Sequence, residues 1–399
     1  MILEFPDKIK NKLTFLVKTN KFVKTNYECF DDVIIEFLST ISNIILKDKK
    51  FKNYPDLISY AFWCRGKILI KKKISLQLKN SFGRGLTFHI APSNVALNFL
   101  YSFSFSLLAG NSNIVRLPSK KFKEIDVLFQ ILKKINVKKF KKIFDSNVFI
   151  RYEQDDSINE FFSSISDTRM IWGGDNTINK FKEYKSNPFC LDINFPDRYS
   201  LSIINSKKLE LLKNNEFNNL IKNFYNDTYL FDQMACNSPH LIIWENPIDK
   251  QIDKFWSKLK ILVKQKYKFD NFMSINKLTR LQIDKIKNFN IKKIENNDNS
   301  LIRINLKKID KKFINYKGSF GYFYEIKNFS IKELFKITDK KVQTITYFGY
   351  KQKDFEKSLK DYLPIGIDRI VPIGQSFKMN FIWDGYDMIN SLSRKIEIK

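Results

Sequence analysis

Residues 83–117 read GRGLTFHIAPSNVALNFLYSFSFSLLAGNSNIVRL and decide the fold. A β-rich run over residues 85–90 stops at residues 91–94 (APSN), and the nearly all-apolar residues 95–109 that follow predict a buried helix. Residues 113–117 (NIVRL) form a second apolar run typical of a strand. A strand, a helix and a strand within about 30 residues are the size of one βαβ unit with a buried parallel sheet.

The alternation of strands and helices continues beyond this unit. A basic amphipathic helix is predicted from residue 118 to about residue 135. A strand, a helix and a strand follow at residues 147–151, 158–165 and 168–172, and a further helix begins near residue 177. These elements predict an α/β fold with a doubly wound sheet of the dinucleotide-binding type, although the Gly-x-Gly-x-x-Gly motif is missing.

Residues outside this α/β block have weaker patterns. Amphipathic helices are predicted over residues 31–47 and 55–63. Residues 67–78 alternate between lysines and apolar residues, which predicts a strand. The Lys- and Asn-rich residues 285–300 are predicted to form a surface excursion.

Composition and charge limit the classes of protein. The 399 residues, with a mass of 47.5 kDa and 43% apolar content, suffice for two or three domains with sizeable cores. The net charge is +28, but only 10 of the 70 basic residues are Arg, the residue that nucleic-acid binders use for bases and phosphates. Abundant Lys with Asn, Ile and Phe is typical of an A/T-rich coding bias, so we expect no nucleic-acid partner. The alternative is an electrostatic role, such as attracting a polyanionic substrate or an acidic partner.

Cysteine and histidine content argues against metal binding. The four cysteines have no Cys-x-x-Cys spacing and only two histidines exist, so we expect no metal site. The most apolar segment, residues 95–110, is interrupted by Asn98 and three serines and is too short to span a membrane. With no signal peptide at the start and unpaired cysteines, we expect a cytoplasmic protein.

Cys236 is the cysteine whose surroundings suit an accessible thiol. It lies in residues 231–239 (FDQMACNSP), among small and polar residues, before a strand-like run. The alternative is a buried structural cysteine, the role that we expect for the three cysteines that lie beside aromatic residues, Cys29, Cys64 and Cys190.

Neither histidine is predicted to act with this cysteine. His240 follows Cys236 by four residues, which in an extended chain separates the two by about 13 Å, too far for a Cys/His pair. We expect structural roles for His240 and for His89 on its strand.

Three stretches of the chain resemble one superfamily. Residues 89–120 resemble the aldehyde dehydrogenases in their Pro-x-Asn turn, apolar helix, Gly-Asn helix end and strand with a basic residue. Cys236 lies 142 residues beyond Asn94, where that superfamily keeps its nucleophile. Residues 232–244 (DQMACNSPHLIIW) and 366–394 (GIDRIVPIGQSFKMNFIWDGYDMINSLSR) resemble the LuxC-type acyl-CoA reductases, which make fatty aldehyde in bacterial bioluminescence.

The resemblance spans about residues 54–394 and implies an aldehyde dehydrogenase-like fold with two α/β domains. We expect a nucleotide-binding domain over residues 1–200 and a catalytic domain over residues 201–375. Residues 376–399 are expected to pack on the first domain or to serve subunit contacts.

The resemblance also implies catalytic roles. Cys236 would be the nucleophile that takes the acyl group as a thioester. The side-chain amide of Asn94, with the backbone N–H of Cys236, would hold the oxyanion. The alternative for Asn94 is a helix N-cap before Val95.

The same resemblance assigns cofactor-binding residues. Arg116 takes the place of a Lys that contacts the adenine ribose, and Ser119 takes the place of a Glu found in members that prefer NAD. Because that Glu repels a 2′-phosphate, Ser119 beside two lysines implies NADPH. Gly173 and Gly174 correspond to the glycine turn that faces the pyrophosphate; ordinary turn glycines are the alternative.

Two further positions differ from the superfamily. Phe320 resembles the Phe of a Glu-x-Phe-Gly motif that packs on the nicotinamide ribose, but Gly318 replaces the Glu, and a plain core role is the alternative. Residues 188–194 (PFCLDIN) have no Glu-Leu-Gly-Gly stretch, which supplies the base for hydrolysis in aldehyde-oxidising members. An acyl-cysteine without that base would survive to be reduced or passed to a thiol.

Together these features predict NADPH-dependent reduction of a fatty acyl-CoA, or a protein-bound acyl group, to fatty aldehyde through acyl-Cys236. The family implies an acyl-protein synthetase as partner, and we expect a homo-oligomer. The alternatives are a short-chain CoA-acylating aldehyde dehydrogenase, a reductase supplied by the synthetase, and a catalytically silent polyanion-binding relative.

Overall fold

The computed structural model describes residues 1–17, 22–92, 95–287 and 290–399. They form two compact units: the first unit comprises Met1–Pro196 and Met379–Lys399, and the second unit comprises Asp197–Lys378. Among the described residues, no helix combines the length and the apolar character needed to cross a membrane.

Helices and strands alternate along most of the chain. The helices are α1 (Asp7–Lys10), α2 (Asp32–Lys47), α3 (Pro55–Trp63), α4 (Gly66–Ser75), α5 (Asn98–Leu108), α6 (Lys123–Leu132), α7 (Lys141–Asp145), α8 (Asp156–Ile165), α9 (Asp175–Glu183), α10 (Asn214–Tyr229), α11 (Asp249–Lys266), α12 (Asn271–Lys287), α13 (Ile331–Ile337), α14 (Gln352–Tyr362) and α15 (Met388–Leu392). The strands are β1 (Ile2–Leu3), β2 (Thr14–Phe15), β3 (Phe22–Val23), β4 (Ser81–Gly83), β5 (Leu86–Ile90), β6 (Ser112–Arg116), β7 (Asn147–Arg151), β8 (Thr168–Trp172), β9 (Leu191–Phe195), β10 (Tyr199–Asn205), β11 (Pro239–Glu245), β12 (Ile291–Asp298), β13 (Leu301–Leu306), β14 (Tyr322–Lys327), β15 (Val342–Phe348), β16 (Arg369–Pro372), β17 (Ile382–Trp383), β18 (Tyr386–Asp387) and β19 (Ser393–Lys395).

The first unit contains a six-stranded sheet with the order β2-β7-β6-β5-β8-β9. Its neighbouring strands are parallel except β2, which runs antiparallel to β7. The direction of winding reverses at β5, since β6 and β7 lie on one side of it and β8 and β9 on the other. Open α/β sheets bind ligands at the carboxyl ends of the strands beside such a switch point. At that edge Ile90 of β5 lies between Arg116 of β6 and Ile171 of β8.

Helices cover the sheet, and the strands are therefore apolar on both faces. Every residue of β5 and of β8 is buried. Nine of the eleven residues of α5 are also buried, all of them from Phe99 to Leu108. The Phe103 ring of α5 packs edge-to-face on Phe149 of β7, with ring centroids 5.0 Å apart. The doubly wound α/β fold class predicted from the sequence is confirmed.

His89 is a core histidine of this sheet. Its Nδ1 lies 2.8 Å from Ser102 Oγ and its Nε2 lies 2.9 Å from Asn113 Oδ1. Burial lowers the pKa of His89 to about 4, so the ring is neutral near pH 7. Both ring nitrogens are engaged inside the core, which leaves His89 a structural part of β5.

Two predictions from the sequence are wrong. Residues 67–78, predicted as a strand, form most of helix α4, in which Leu69 alone is buried. The alternation of Lys and Ile lies on a largely exposed helix. It does not reflect a strand with one face buried against a core. Residues 285–300, predicted as an excursion, contain the end of α12 and strand β12, which pairs antiparallel with β13 at the edge of a sheet. Lysines are common on edge strands because they discourage pairing with other chains.

The C-terminal segment completes the first unit. Strand β19 pairs antiparallel with β4, where Ser393 lies opposite Gly83. Asn111 Nδ2 donates to the Leu392 carbonyl at 2.9 Å. The Phe381 ring stacks on another core ring of this unit, that of Trp63, at 5.3 Å between centroids. These contacts tie residues 379–399 to the first 111 residues of the chain.

The second unit contains a seven-stranded sheet with the order β12-β13-β14-β11-β10-β15-β16. All neighbours are parallel except β12 and β13. Helices cover both faces, as the two buried clusters that share these strands show. The carboxylate of Glu325 in β14 is fully buried but well supplied with donors: Trp244 Nε1 at 2.9 Å, Trp256 Nε1 at 3.0 Å and Arg303 Nη2 at 2.8 Å.

Candidate active site

Cys236 lies in the loop of residues 230–238 that connects α10 to β11, which we call the cysteine loop. Because β11 and β14 are parallel neighbours, the chain segments before these two strands lie at the same edge of the sheet. The segment before β14 is the turn of residues 318–321. The topology therefore brings Cys236 and Phe320 to one edge of the second unit, although 84 residues separate them.

The cysteine loop contains two consecutive residues in the left-handed region. Asp232 and Gln233 have φ angles of 56° and 58°. Side chains other than glycine adopt this conformation at a cost of roughly 1–3 kcal/mol, and it persists only where surrounding contacts hold it. Two such residues three and four positions before a cysteine indicate a loop whose shape is imposed by its partners.

Gln233 provides most of these contacts. Its side chain is fully buried, and its Oε1 accepts from the backbone N–H groups of Gly321 at 3.1 Å and Tyr322 at 3.0 Å. Its Nε2 donates to the carbonyls of Pro239 at 3.0 Å and Tyr322 at 3.1 Å. One amide thus makes four hydrogen bonds and joins the cysteine loop to the start of both β11 and β14.

Backbone contacts reinforce this joint. Phe320 N–H donates to the Asp232 carbonyl at 2.9 Å, and the Asp232 carboxylate accepts from the Tyr267 hydroxyl. Closer to the cysteine, Ser200 Oγ donates to the Cys236 carbonyl at 2.6 Å. Cys236 itself is partly exposed, so the loop holds its backbone while leaving part of the residue accessible to solvent.

The turn of residues 318–321 explains one departure from the superfamily motif. A Cβ at Gly318 would lie 2.1 Å from the Tyr322 carbonyl oxygen, so no residue with a side chain, Glu included, fits there without moving the backbone. Phe320 has a φ of 58°, and its ring is 4% exposed. The structure therefore shows a tight turn with a buried aromatic ring where the superfamily motif has Glu and Phe.

Lys277 of α12 supports the same turn from behind. Its ammonium donates to the carbonyls of Asn299 at 2.7 Å and Phe320 at 2.9 Å, and it lies 3.5 Å from the Gly321 carbonyl. The side chain is 1% exposed. Burial lowers the pKa of Lys277 to about 7, against a weaker opposing effect of Asp298.

We expect this buried lysine to make the stability of the second unit depend on pH. Between about pH 7 and pH 10 the unfolded chain holds a proton on Lys277 that the folded chain has lost. The free energy of unfolding therefore rises with pH in this window, by up to about 1.4 kcal/mol per pH unit from this group. We expect Lys277→Met to lose this slope in chemical denaturation, while Lys266→Met, at an exposed position, keeps it. Equal slopes in wild type and Lys277→Met would contradict the assignment.

A third segment, residues 374–378, holds the other side of the cysteine loop. Asn237 Nδ2 donates to the Ser376 carbonyl at 2.6 Å. The buried Asp227 carboxylate accepts from Gly374 N–H at 2.5 Å and from Ser376 Oγ at 2.8 Å. Arg369 Nη1 donates to the Ser376 carbonyl at 2.7 Å. Burial raises the pKa of Asp227 to about 6, while these donors favour its charged form.

We expect the other three cysteines to be less reactive than Cys236. Burial raises the pKa of the Cys29 thiol to about 11, of Cys64 to about 12 and of Cys190 to about 11. Since the thiolate is the reactive form, these three thiols are poor nucleophiles at neutral pH.

This difference predicts the order of thiol labelling. At pH 7.5 the native protein should react with iodoacetamide first at Cys236 and at least about 10-fold more slowly at Cys29, Cys64 and Cys190. Peptide mass spectrometry after short exposures measures the four rates. In urea all four rates should converge, and faster labelling of Cys64 than of Cys236 in the native state would refute the prediction.

His240 lies near the turn and away from water. It is 5% exposed, and no described residue pairs with its Nδ1. Burial, with a smaller contribution from Lys317, lowers the pKa of His240 to about 3, so the ring is neutral at physiological pH. Its ring packs against Tyr199, with centroids 5.5 Å apart.

The predicted cofactor residues of the first unit lie at the carboxyl edge of its sheet. Arg116 ends β6, and its guanidinium lies 4.4 Å from the centre of the Tyr152 ring. Ser119 follows and is exposed. Gly173 and Gly174 follow β8, and Gly174 is the residue at the N-cap of α9. Asn94, the predicted oxyanion donor, lies outside the described residues.

Two glycines leave the start of α9 open. A Cβ at Gly173 would lie 2.8 Å from the Thr177 Cβ, whereas a Cβ at Gly174 would meet nothing within 4 Å. The N-cap residue, Gly174, has no side chain with which to cap the first turn of α9. Backbone N–H groups at a helix start beside a sheet switch point suit the pyrophosphate of a dinucleotide. The residues present therefore fit such a cofactor.

Comparison with known proteins identifies the family. A family model described as acyl-CoA reductase (LuxC) matches residues 70–274, just over half of the chain. The chain belongs to the LuxC acyl-CoA reductase family. No curated protein matches the sequence. Membership makes this protein an oxidoreductase acting on acyl or aldehyde groups, and family and fold together imply a nicotinamide cofactor, NAD or NADP.

Solved structures similar to this LuxC-family chain are aldehyde dehydrogenases. An NAD-dependent benzaldehyde dehydrogenase from Corynebacterium glutamicum has 11% identity and a TM-score of 0.59, covering 92% of this chain and 83% of its own. Aldehyde dehydrogenase 21 from Physcomitrella patens has 9% identity and a TM-score of 0.58, covering 91% and 83%. Glyceraldehyde-3-phosphate dehydrogenase GapN from Methanocaldococcus jannaschii has 11% identity and a TM-score of 0.58, covering 91% and 88%. These likenesses confirm the aldehyde dehydrogenase-like fold.

The LuxC-family chain has one acid in the stretch where hydrolytic members keep their base. Asp192 of β9 is bound by Arg169 through two hydrogen bonds of 2.7 Å, from Nε to Oδ1 and from Nη2 to Oδ2. Arg169 is 3% exposed. A carboxylate held in a bidentate pair with a buried guanidinium is poorly placed to take a proton from water.

Three residues that support the cysteine loop of this LuxC-family protein, directly or through the two segments bonded to it, escaped the sequence analysis. They are Gln233, Asp227 and Lys277. A buried-looking Gln beside Cys236 is a weak signal by itself. Their partners lie far along the chain: 89 residues from Gln233 to Tyr322 and 147 from Asp227 to Gly374.

Proposed function

We propose that this protein reduces a fatty acyl-CoA to the fatty aldehyde with NADPH, through a thioester on Cys236. The observation that carries the proposal is a partly exposed cysteine on a loop that Gln233 joins to the turn before β14 by hydrogen bonds. Burial raises the pKa of each of the three remaining thiols, which keeps them protonated at neutral pH.

The reaction begins with substitution at the acyl carbon. The Cys236 thiolate attacks the thioester carbonyl, a bond forms between Cys236 Sγ and the acyl carbon, and the CoA thiolate leaves. By resemblance, the Asn94 side chain and the Cys236 backbone N–H are proposed to stabilise the oxyanion that forms on the way.

The acyl group then stays on Cys236 because water is not activated. Asp192 is committed to Arg169, which supports the prediction that no hydrolytic base acts in this stretch. Bound NADPH would supply a hydride to the acyl carbon. The bond from that carbon to Cys236 Sγ then breaks, which frees the aldehyde and regenerates the thiolate.

The residues of each unit support distinct roles in this proposal. We assign the nicotinamide cofactor to the first unit and the nucleophile to the second. Gly173 and Gly174 would receive the pyrophosphate at the start of α9, and Arg116 the adenosine end. Because the Phe320 ring is buried, we assign it to holding the turn beside the cysteine loop.

The preference for NADPH rests on Ser119 and the two exposed lysines that follow it. We expect Ser119→Glu to raise the KM for NADPH by about 10-fold or more, because the carboxylate repels the 2′-phosphate, and to leave the KM for NADH unchanged or lower. Steady-state kinetics with both cofactors measures the ratio. Ser157→Glu, on α8, is the matched control; no change in the ratio for Ser119→Glu would remove Ser119 from the site.

A labelled substrate tests the proposed reaction as a whole. The protein is incubated with radiolabelled tetradecanoyl-CoA, precipitated, and treated with hydroxylamine, which cleaves thioesters. The proposal requires bound label that hydroxylamine releases, and conversion of that label to tetradecanal when NADPH is added before precipitation. Label that no nicotinamide discharges would indicate acyl transfer. No label from acyl-CoA or acyl-protein of any chain length would overturn the proposal.

A further inference from the structure

Helix α12 of the second unit exposes an apolar face. Its buried side consists of Lys277, Leu281 and Asp284, each less than 4% exposed. Surface helices of globular proteins ordinarily turn their apolar stripe toward the core. The side of α12 that faces away from the core instead carries five large apolar residues that are 40–71% exposed, namely Phe272, Ile275, Leu278, Ile283 and Ile286. A contiguous apolar patch of this kind indicates an interaction surface.

The exposed apolar residues form one stripe along the helix. At about 100° per residue, positions 272, 275, 283 and 286 fall within about 80° of one another around the helix axis, and the stripe is about 21 Å long. Position 278 widens the stripe on one side. The polar residues that share this side, Asn276, Thr279 and Gln282, carry no charge. The side of α12 that faces solvent is therefore apolar and neutral along its length.

Exposed lysines border the stripe. Lys266 and Lys268 precede the start of the helix, and Lys285 and Lys287 lie in its last turn, one on each flank of the stripe. Between positions 266 and 287, all of which the structure describes, Asp270 is the one exposed acid. Positive charge thus predominates at both ends of the apolar stripe.

The other charges near the stripe are occupied within the protein. Asp270 caps the helix, since its Oδ1 accepts from the Met273 N–H at 2.7 Å. The Arg280 guanidinium lies 3.1 Å from the buried Asp284 carboxylate, toward the core. The lysines that border the stripe are therefore the charges that an approaching partner meets.

An apolar stripe bordered by lysines fits an anionic lipid surface better than a protein or a nucleic acid. Lysine is depleted in protein–protein interfaces, and nucleic-acid binding uses aromatic stacking, which four of the five apolar side chains cannot provide. Helices that lie in the membrane interface combine an apolar face with lysines beside it. Anionic headgroups attract the ammonium groups, while the lysine stems extend along the apolar surface.

We propose that α12 binds the surface of an anionic phospholipid bilayer, with the helix axis parallel to the membrane and the apolar stripe inserted at the level of the headgroups. This binding goes beyond the proposed function and occurs whether or not Cys236 is the nucleophile. The Phe272 ring lies edge-on to Phe320, with centroids 6.5 Å apart, so the bilayer would lie close to the turn that Gln233 joins to the cysteine loop. A fatty aldehyde released there would partition into the lipid, a consequence that rests on the proposed function.

Cosedimentation with lipid vesicles tests the binding. The purified full-length protein is mixed with vesicles of phosphatidylcholine alone or of an equimolar mixture of phosphatidylcholine and phosphatidylglycerol. We expect binding to the mixed vesicles to be at least about 10-fold tighter than to the neutral ones. Added salt should weaken this binding without abolishing it, because the apolar stripe contributes independently of charge. Absence of binding to the mixed vesicles would overturn the proposal.

Matched aspartate variants separate the apolar stripe from the high net charge of the chain. Ile275→Asp and Ile286→Asp should each weaken binding to the mixed vesicles at least about 10-fold while keeping the wild-type circular dichroism. Ile74→Asp, at a 79% exposed position on α4 next to Lys72 and Lys73, makes the same change in charge and should bind as wild type does. Equal binding by wild type and Ile275→Asp would assign the attraction to the net charge and overturn the proposal.

Lysine variants test the border of the stripe in the same assay. Lys285→Gln combined with Lys287→Gln should weaken binding to the mixed vesicles several-fold and leave binding to neutral vesicles unchanged. The control is Lys357→Gln combined with Lys360→Gln, at two exposed positions on α14. Equal losses in both double variants would contradict a specific role of the lysines beside α12.

Fluorescence quenching tests whether the stripe inserts. Ile286→Trp adds a reporter to the stripe, and vesicles that contain brominated phosphatidylcholine should quench it beyond the wild-type background, whereas Ile74→Trp should show no added quenching. Binding without this quenching would place the helix outside the bilayer and overturn the proposal. Self-association of the wild type that Ile275→Asp removes, with no binding to either vesicle, would assign the face to a second copy and overturn it as well.

Discussion

We expect Cys236→Ser to keep the wild-type fold and to lose reduction of fatty acyl-CoA by at least about 10³-fold. A serine hydroxyl stays protonated near neutral pH, whereas a thiol reaches its nucleophilic thiolate form far more readily. The Cys236 carbonyl that accepts from Ser200 Oγ is unchanged by the substitution, so we expect the loop to keep its shape. Aldehyde formation under NADPH and covalent labelling by acyl-CoA measure the two effects.

A matched cysteine variant separates chemistry from folding. Cys190→Ser changes another partly exposed cysteine, whose thiol has a pKa raised to about 11 by burial, and should retain at least half of the wild-type rate. Cys236→Ala should abolish covalent labelling completely. Wild-type labelling in Cys236→Ala would assign the nucleophile to another residue and would leave the fold and family unchanged.

The elements that could be predicted from the sequence are those in which nearly every residue is buried. Strands β5 and β8 are buried at every residue, and α5 nearly so, and their sequences are accordingly almost free of charge. Turn residues at 91–94 and 110–111 separate these elements. Local pattern and tertiary burial agree there, so a βαβ unit could be predicted without any knowledge of long-range contacts.

The errors occurred where burial is slight. Helix α4 buries only Leu69, so the periodicity of its apolar residues was not selected by a core and happened to resemble that of a strand. Strand β12 is an edge strand with alternating polar residues, and its identity depends on pairing with β13. Local sequence patterns are weak indicators in both situations because long-range contacts decide the structure.

Within the candidate site, the sequence predicts Cys236 but not the residues that support the cysteine loop. Small and polar neighbours identified Cys236, but Gln233, Lys277 and Asp227 act through partners that the sheet order brings together. Gly318 is similar: the sequence shows a missing Glu, and the backbone contact with Tyr322 supplies the reason. The pairing of β11 with β14 is a long-range contact that the local sequence pattern does not predict.

We expect Gln233→Ala to have the second-largest effect on activity, although Gln233 is a positioning residue. The variant leaves the buried N–H groups of Gly321 and Tyr322 without their acceptor, at about 1–3 kcal/mol each. It also removes the side-chain contacts that hold position 233 in the left-handed region. The free energy of unfolding of the second unit should fall by about 3 kcal/mol, and kcat should fall by at least about 10-fold.

Separate measurements of kcat, KM and the labelling rate of Cys236 distinguish a positioning role of Gln233 from general destabilisation. If Gln233 fixes the cysteine loop, Gln233→Ala should lower kcat at an unchanged KM for acyl-CoA and should speed iodoacetamide labelling of Cys236, since the loosened loop exposes the thiol. Gln130→Ala, at an exposed position on α6, is the control for both readouts.

Gln233→Glu keeps the acceptor for two N–H groups but sets a carboxylate against the carbonyls of Pro239 and Tyr322. Protonation removes that repulsion, so its activity relative to wild type should rise as the pH falls. A Gln233→Ala protein that loses stability yet keeps the wild-type kcat at a temperature where it is folded would show that the four hydrogen bonds serve the sheet and not the cysteine.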